Sequence, residues 1–336
     1  MDSVDCLREV PAYYKNIMSL VHTFTLPIYF ITLSVLYREP SKAFKTYKNY
    51  IFVHIAINIV TEIFVSYFML PDTYLPLPIM RMTGLMAYWG FNGLVIFYII
   101  AQLVILTGGS IIEMFYYRFK VCVIYHETQL YSKILKFQMY LYRFTQSMHP
   151  VIMGVTYKPA ADDLIIARDR LWMSNSTFIS PEVRCFNVMT TDTNFPIYWF
   201  VFIYYSVQVL NCIFICIGSL IYITDFINKS IVMSKATEKL QKMLLFSLFI
   251  QTAIHGVLII LPLLVVAYAL AVDLPYDDFA RVMIIFFAYH GFASTCAMII
   301  FTKPLRDKIL PCTKTLGQTK QISVVQASST QDGPNS

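Results

Sequence analysis

The residues of this chain that could do chemistry lie where polar groups are costly, inside long apolar stretches. Asn58 and Glu62 stand four positions apart, on one face of any helix that carries them. Gln251 and His255 repeat that spacing later, and His290 sits inside a further stretch. Tyr88 and Asn92 lie near the head of another. A carboxylate and imidazoles are the usual material of proton transfer. Yet no His-Glu-x-x-His, Gly-x-Ser-x-Gly or Gly-rich phosphate loop accompanies them. No catalytic dyad survives placement on helices, so neither an enzyme nor a metal or other cofactor is expected. The acidic run Asp162-Asp163 with Asp169 is offset by Arg168 and Arg170 and reads as solvated surface.

Two readings stay open for each polar group. Asn58 and Glu62 either bias a helix rearrangement, with Glu62 changing protonation or partner, or form a neutral hydrogen-bonded pair that holds a bundle. Tyr88, Asn92, Gln251, His255 and His290 taken together describe a ligand pocket between helices, with Tyr88, Trp89 and Phe91 as apolar lining. Taken singly, each is an interhelical hydrogen bond, and Trp89 an interface anchor. Pro262 either pivots a moving helix or makes a static kink. Gly108, Gly109 and Ser110 favour close helix packing.

The elements that position these groups are seven apolar stretches separated by loops. The residues are 57% hydrophobic and 14% charged, with mean hydropathy +0.59, against about 25% charged in soluble domains. Spans are placed near 16–37, 49–70, 85–115, 131–156, 195–223, 243–272 and 282–301. Asn49 to Leu70 makes a helix of about 33 Å against a hydrocarbon core of about 30 Å. The fourth span is the least apolar, holding Lys133, Lys136, Arg143 and His149. The fold expected is therefore an all-α membrane protein, a seven-transmembrane helix bundle. Its parts are an extracellular N-terminus over 1–15, the bundle over 16–306 and a largely disordered tail over 307–336. Met1 to Lys15 lacks a positive n-region and a cleavage site, so no removable signal peptide is read there.

Lys and Arg collect in every second loop. The loops after spans one, three and five, with the tail, hold 17 of the 26. The positive-inside rule puts that side in the cytoplasm and the N-terminus outside. The net charge of +6 thus follows the membrane, and nucleic acid is not an expected partner. Asn175-Ser176-Thr177 then lies in a long outer loop over 151–194 and is expected to be glycosylated, whereas Asn228-Lys229-Ser230 faces the cytoplasm. Of seven cysteines, only Cys6 and Cys185 face the oxidising side. They either form a disulfide over the outer mouth or remain two free thiols. Cys312 is a weak palmitoylation candidate, and the tail after it is rich in Ser and Thr.

The ordered motifs of the second half carry a resemblance. Met233-Ser234-Lys235-Ala236-Thr237 leads through Leu240-Gln241-Lys242 and Ile250-Gln251 to Pro262. Then come His290-Gly291, Ser294-Thr295 and the closing Lys303-Pro304-Leu305-Arg306. Earlier, Pro76-Leu77-Pro78, Phe115-Tyr116-Tyr117-Arg118-Phe119, Pro181 and Cys185 agree in order and spacing. The chain resembles the nematode serpentine chemoreceptors of the Str superfamily, most closely class H (Srh), with class I (Sri) close behind. The resemblance implies a G-protein-coupled receptor for sensory perception such as olfaction, in the plasma membrane and the cilia of chemosensory neurons. It implies a small-molecule ligand and a heterotrimeric G protein as partners, with membrane lipids around the bundle. Arg118 becomes the coupling residue, joined by the cations Lys235, Lys239 and Arg306. Two departures stand out. Class H members usually carry Glu-Asn where Tyr116 and Tyr117 stand, and a tyrosine where Leu305 stands.

The expectation is a receptor that binds a small molecule in the outer half of the bundle and opens on the cytoplasmic side. Alternatives are a seven-span ligand-gated channel, a transporter, or a poorly signalling receptor-like partner protein.

Overall fold

The computed structural model describes residues 6–7, 9–38, 45–74, 79–123, 130–175, 181–190, 196–229, 235–262, 264–265, 268, 272 and 277–309. The tail with Cys312 lies outside the described residues, as do Pro76-Leu77-Pro78 and the side chains of Lys235 and Asn175.

The chain is a bundle of long helices. They are α1 (Ala12–Tyr37), α2 (Lys45–Ile63), α4 (Gly93–Val123), α5 (Leu130–Asn175), α6 (Pro196–Lys229) and α7 (Lys235–His255). Then follow α8 (Asp277–Ala288), α9 (His290–Phe301) and a short α10 (Lys303–Ile309). Among the described residues, five helices are long and apolar enough to cross a membrane, and α8 with α9, bent by 42°, make a sixth. The seventh position belongs to α5, packed against α4 and α6. Its Lys133, Lys136, Gln138 and Arg143 dilute the apolar signal. Phe24, Phe30, Ile203, Leu210 and Phe246 stand exposed on the bundle exterior, as expected of a lipid-facing surface. Lipid tails are as apolar as leucine, so tight packing and interhelical polar bonds, not exclusion of water, hold such helices together.

α4 is the central helix, in contact with α2, α5, α6 and α7. The core has two main apolar parts. One joins Leu36, Ile51, Phe115, Phe119, Ile227, Leu248 and Leu305. The other joins Tyr14, Met18, Met69, Met82, Ile96 and Leu164.

Three features differ from the spans read in the sequence. The third span starts at Gly93, not Leu85. Residues Leu85–Tyr88 form a separate short turn, α3, and the chain then reverses through Gly90 at φ 80°, a conformation glycine adopts without a Cβ clash. The stretch after Thr156 is not a loop. α5 continues unbroken to Asn175, because Ala160, Leu164, Ala167 and Arg168 recur at helical spacing and are all buried. The last span breaks at Tyr289.

The helices also carry a small sheet with no signal in the hydropathy pattern. Strands β1 (Pro71–Tyr74), β2 (Ile79–Met82) and β3 (Val188–Thr190) pair antiparallel in the order β1-β2-β3. Asp72 faces Arg81, and Arg81 faces Val188. α2 enters this sheet by widening into a π-helical turn over Phe64–Met69, closed by Leu70 N–H to the Val65 carbonyl at 2.9 Å. Leu70 takes the left-handed conformation at φ 38°, which costs an L residue about 1–2 kcal/mol. Its carbonyl accepts from the Thr83 hydroxyl at 2.7 Å, and Tyr14 donates to the next carbonyl, Pro71, at 2.7 Å. A second π turn over Gly256–Ile260 precedes Pro262, whose missing N–H leaves a carbonyl of that turn without its usual donor.

Candidate functional site: a polar core and an arginine latch

The polar core runs across five helices. On α2, Glu62 is buried and accepts two hydroxyls from α1: Thr25 Oγ1 to Oε1, and Tyr29 OH to Oε2 at 2.6 Å. One turn back, Asn58 Nδ2 donates to His54 Nε2 at 3.1 Å. That fixes the His54 tautomer, so Nδ1–H donates to Ser110 Oγ on α4 at 2.7 Å. Ser110 in turn donates to the Thr107 carbonyl at 2.7 Å, and Thr107 meets Thr61 at 3.3 Å. The small residue at 110 allows this approach, so the Gly108-Gly109-Ser110 run has a polar consequence as well as a packing one.

On the facing side, Gln251 Nε2 donates to Ser247 Oγ at 3.1 Å, and Ser247 meets Thr302 at 3.1 Å, tying α7 to the end of α9. His255 places its Nδ1 2.8 Å from the Gln251 carbonyl, and His290 places its own 2.6 Å from the Phe287 carbonyl. The rings of His54 and His255 are 5.3 Å apart, and those of His255 and His290 are 5.2 Å apart. Three imidazoles from α2, α7 and α9 therefore meet at the bundle centre. Gly291 permits the crossing of α9 with α1 and α2. A Cβ there would come within 2.8 Å of both Asn58 Cβ and the Tyr29 hydroxyl.

Of the sequence-derived pocket residues, Gln251, His255 and His290 come together with Asn58. Tyr88 and Asn92 are placed otherwise. Tyr88 is 57% exposed in α3, and Asn92 Oδ1 accepts from the Leu94 N–H at 2.9 Å, capping the start of α4. The reason is the reversal at Gly90, which removes both from the helix proper. Pro262 is buried just beyond the second π turn. His54 was not singled out in the sequence. Its spacing of four before Asn58 was the available signal.

At one end of the bundle, Arg118 is 6% exposed and meets no carboxylate among the described residues. Its Nη1 donates to Gln241 Oε1 of α7 at 3.1 Å. Its guanidinium lies 3.6 Å over the Tyr47 ring of α2 and 6.0 Å from the Tyr117 ring. Nε and Nη2 find no acceptor among the described residues. Tyr116 and Tyr117, the two departures from the class H pattern, both face cations, since Arg143 stands 5.2 Å over Tyr116. Glu113 pairs with Arg143 of α5 through two bonds of 2.7 Å, a partner on another helix that spacing along α4 does not reveal. Leu305 is buried in the apolar core, Lys239 is exposed, and Arg306 donates to the Ile300 carbonyl at 3.2 Å.

The opposite end carries the sheet. Cys6 and Cys185 are joined by a disulfide with their Cα atoms 5.4 Å apart. Asn187 Nδ2 donates to the carbonyls of Cys6 at 2.9 Å and Met82 at 2.7 Å. Buried Asp72 accepts from Arg281 of α8 at 2.8 Å and from Arg81 at 3.5 Å. Arg281 also reaches Asp278 at 2.8 Å, and Tyr13 donates to the same carboxylate. Arg168 of α5 donates to the carbonyls of Phe186 and Val188, and Asp169 pairs with Arg184 at 3.1 Å.

Nothing among curated proteins or solved structures matches the chain significantly. A family model does. Residues 9–315 match the serpentine type 7TM GPCR chemoreceptor Srh, which takes in both ends of the bundle and the polar core between them. The chain belongs to the Srh family of serpentine seven-transmembrane chemoreceptors.

Proposed function

We propose that the chain is a chemosensory receptor whose N-terminus and sheet face the exterior and whose Arg118 end faces the cytoplasm. A small molecule enters from the sheet side and reaches the polar core of Asn58, Gln251, His255 and His290. It shifts the receptor toward an open state only by its differential affinity for the two states. The open state separates α7 from α4 at Arg118, and the exposed cationic surface of Lys235, Lys239 and Arg306 engages a heterotrimeric G protein. Glu62, Asn58 and Pro262 form the conformational switch between the two ends. Asn175 carries a glycan, Cys312 a palmitoyl chain, and the receptor resides in the cilia of chemosensory neurons.

The observation that supports this reading is the meeting of His54, His255 and His290, from α2, α7 and α9, at the bundle centre. On the same stretch of α7, Gln251 donates to Ser247 and Ser247 meets Thr302, at the junction that leads into α10. The positive-inside charge bias supports the orientation.

The test is a small-molecule screen in cells expressing the full chain, read by G-protein activation, with Arg118→Ala as control. An active compound whose response disappears in Arg118→Ala supports the reading. Ligand-evoked current without any G protein overturns it in favour of a channel. Epitope tags offer an independent check: the N-terminal tag should be reached on intact cells and the C-terminal tag only after permeabilisation.

A further inference from the structure

The polar core contains an acceptor surplus that the helices do not satisfy. His255 and His290 each direct Nδ1 at a backbone carbonyl, which can only accept, so the hydrogen is on Nδ1 and Nε2 carries a lone pair. Both Nε2 atoms are buried and find no donor among the described residues. Asn58 Oδ1 of α2 and Gln251 Oε1 of α7 are also without a partner there. Buried acceptors without donors are rare and call for a guest.

The kind of guest follows from the donor atoms. A backbone carbonyl on Nδ1 is the usual second contact of a histidine that binds a metal through Nε2. Imidazole suits zinc and copper better than sodium or magnesium, which prefer oxygen. The spacing agrees. With metal–nitrogen bonds of about 2.0–2.1 Å at a tetrahedral angle, two imidazole centres lie about 5.2 Å apart. The observed separation of the two rings is 5.2 Å. His54 is not a third ligand, because its Nε2 already accepts from Asn58. Consistent with that, no three His, Cys, Asp or Glu side chains are grouped for chelation among the described residues.

We propose that His255 and His290 form a two-imidazole site, bridging α7 and α9, for a borderline transition-metal ion of the zinc class. Two protein nitrogens leave coordination positions open, as in sites where a metal presents itself to a ligand and unlike closed structural sites. The site thereby deepens the reading of the polar core as the ligand pocket, on which it rests: the ligand class becomes one with a nitrogen, oxygen or sulfur donor.

The experiment is zinc binding to the purified full chain in lipid nanodiscs, by competition with a chelator dye, with X-ray absorption at the zinc edge. One saturable zinc per chain with an imidazole scattering signature is expected. His255→Gln and His290→Gln should each weaken binding about 100-fold, and the double variant should abolish it. His149→Gln should leave it unchanged, since both His149 ring nitrogens are already engaged, by Gln102 and Tyr205. The absorption spectrum of the unsubstituted chain keeps the test valid should a variant not fold. No saturable zinc, a spectrum without imidazole ligands, competition by millimolar sodium, or retention of zinc by the double variant would overturn the proposal. Because no G protein takes part, a negative result leaves the receptor reading intact, and a failed compound screen leaves the metal site intact.

Discussion

The two ends of the bundle are held by different forces. At the sheet end a disulfide, a buried carboxylate shared by Arg81 and Arg281, and the two carbonyl bonds of Asn187 tie α1, α8 and the strands together. At the other end a buried guanidinium spans α4 to α7 through one bond to a neutral amide and lies on tyrosine rings. Removing one partner of a buried ion pair costs about 3–5 kcal/mol, whereas a hydrogen bond to a charged group contributes about 1.5–3 kcal/mol. On these figures the Arg118 contacts cost less to break than those of the sheet end, as the proposed opening requires.

Substitutions can break or sharpen that contrast. The largest effect is expected from Asp72→Ala. It leaves Arg281 with only the exposed Asp278 and takes away the carboxylate that faces Arg81, a loss of about 3–5 kcal/mol. Thermal unfolding of the purified chain and surface expression should both fall, and retention of the parental unfolding temperature would show that the sheet end is not the costlier one to break. Cys6→Ser with Cys185→Ser opens a loop of 179 residues and should cost about 2–4 kcal/mol, read by the same unfolding curves and matched by reduction of the parent protein. Gly291→Ala presses a methyl group on Asn58 and Tyr29 and should cost about 1–3 kcal/mol. It also separates the three-imidazole contact, so loss of ligand response should exceed what the drop in expression explains. The smallest change in stability belongs to Gln241. Gln241→Ala should lower it by about 1.5 kcal/mol, the low end for a bond to a charged group, while raising basal G-protein activation about fivefold. Gln241→Glu, which offers Arg118 a carboxylate, should lower basal activation below the parent. Opposite signs for these two variants are the sharpest test of the latch, and equal basal activity in all three proteins would remove it.

Much of the architecture is legible from patterning alone. Six of the seven spans stand out because each needs a long apolar run, a condition local to the sequence. α5 was the hardest to bound for the same reason. Its lysines, glutamine and arginine break the run, and its continuation past Thr156 depends on the buried stripe of Ala160, Leu164 and Ala167. The sheet left no trace, since three strands of three or four residues have no room to show a period. Glu62 and Asn58 were conspicuous as polar residues in an apolar run. His54 is less so, because one histidine between Val53 and Ile55 near the head of a span carries little information without its partners.

Composition, hydropathy and the ordered motifs were enough to determine a membrane-embedded helical bundle and its family, because lipid imposes a simple rule on each span separately. Which polar atoms meet was decided only by the tertiary structure. His54, His255 and His290 are brought together across as many as 236 positions of chain, and Arg118 meets Gln241 rather than an acid. Such pairings depend on helix rotation and crossing, set jointly by Gly291, Ser110 and the packed core, and no single stretch of sequence carries that information.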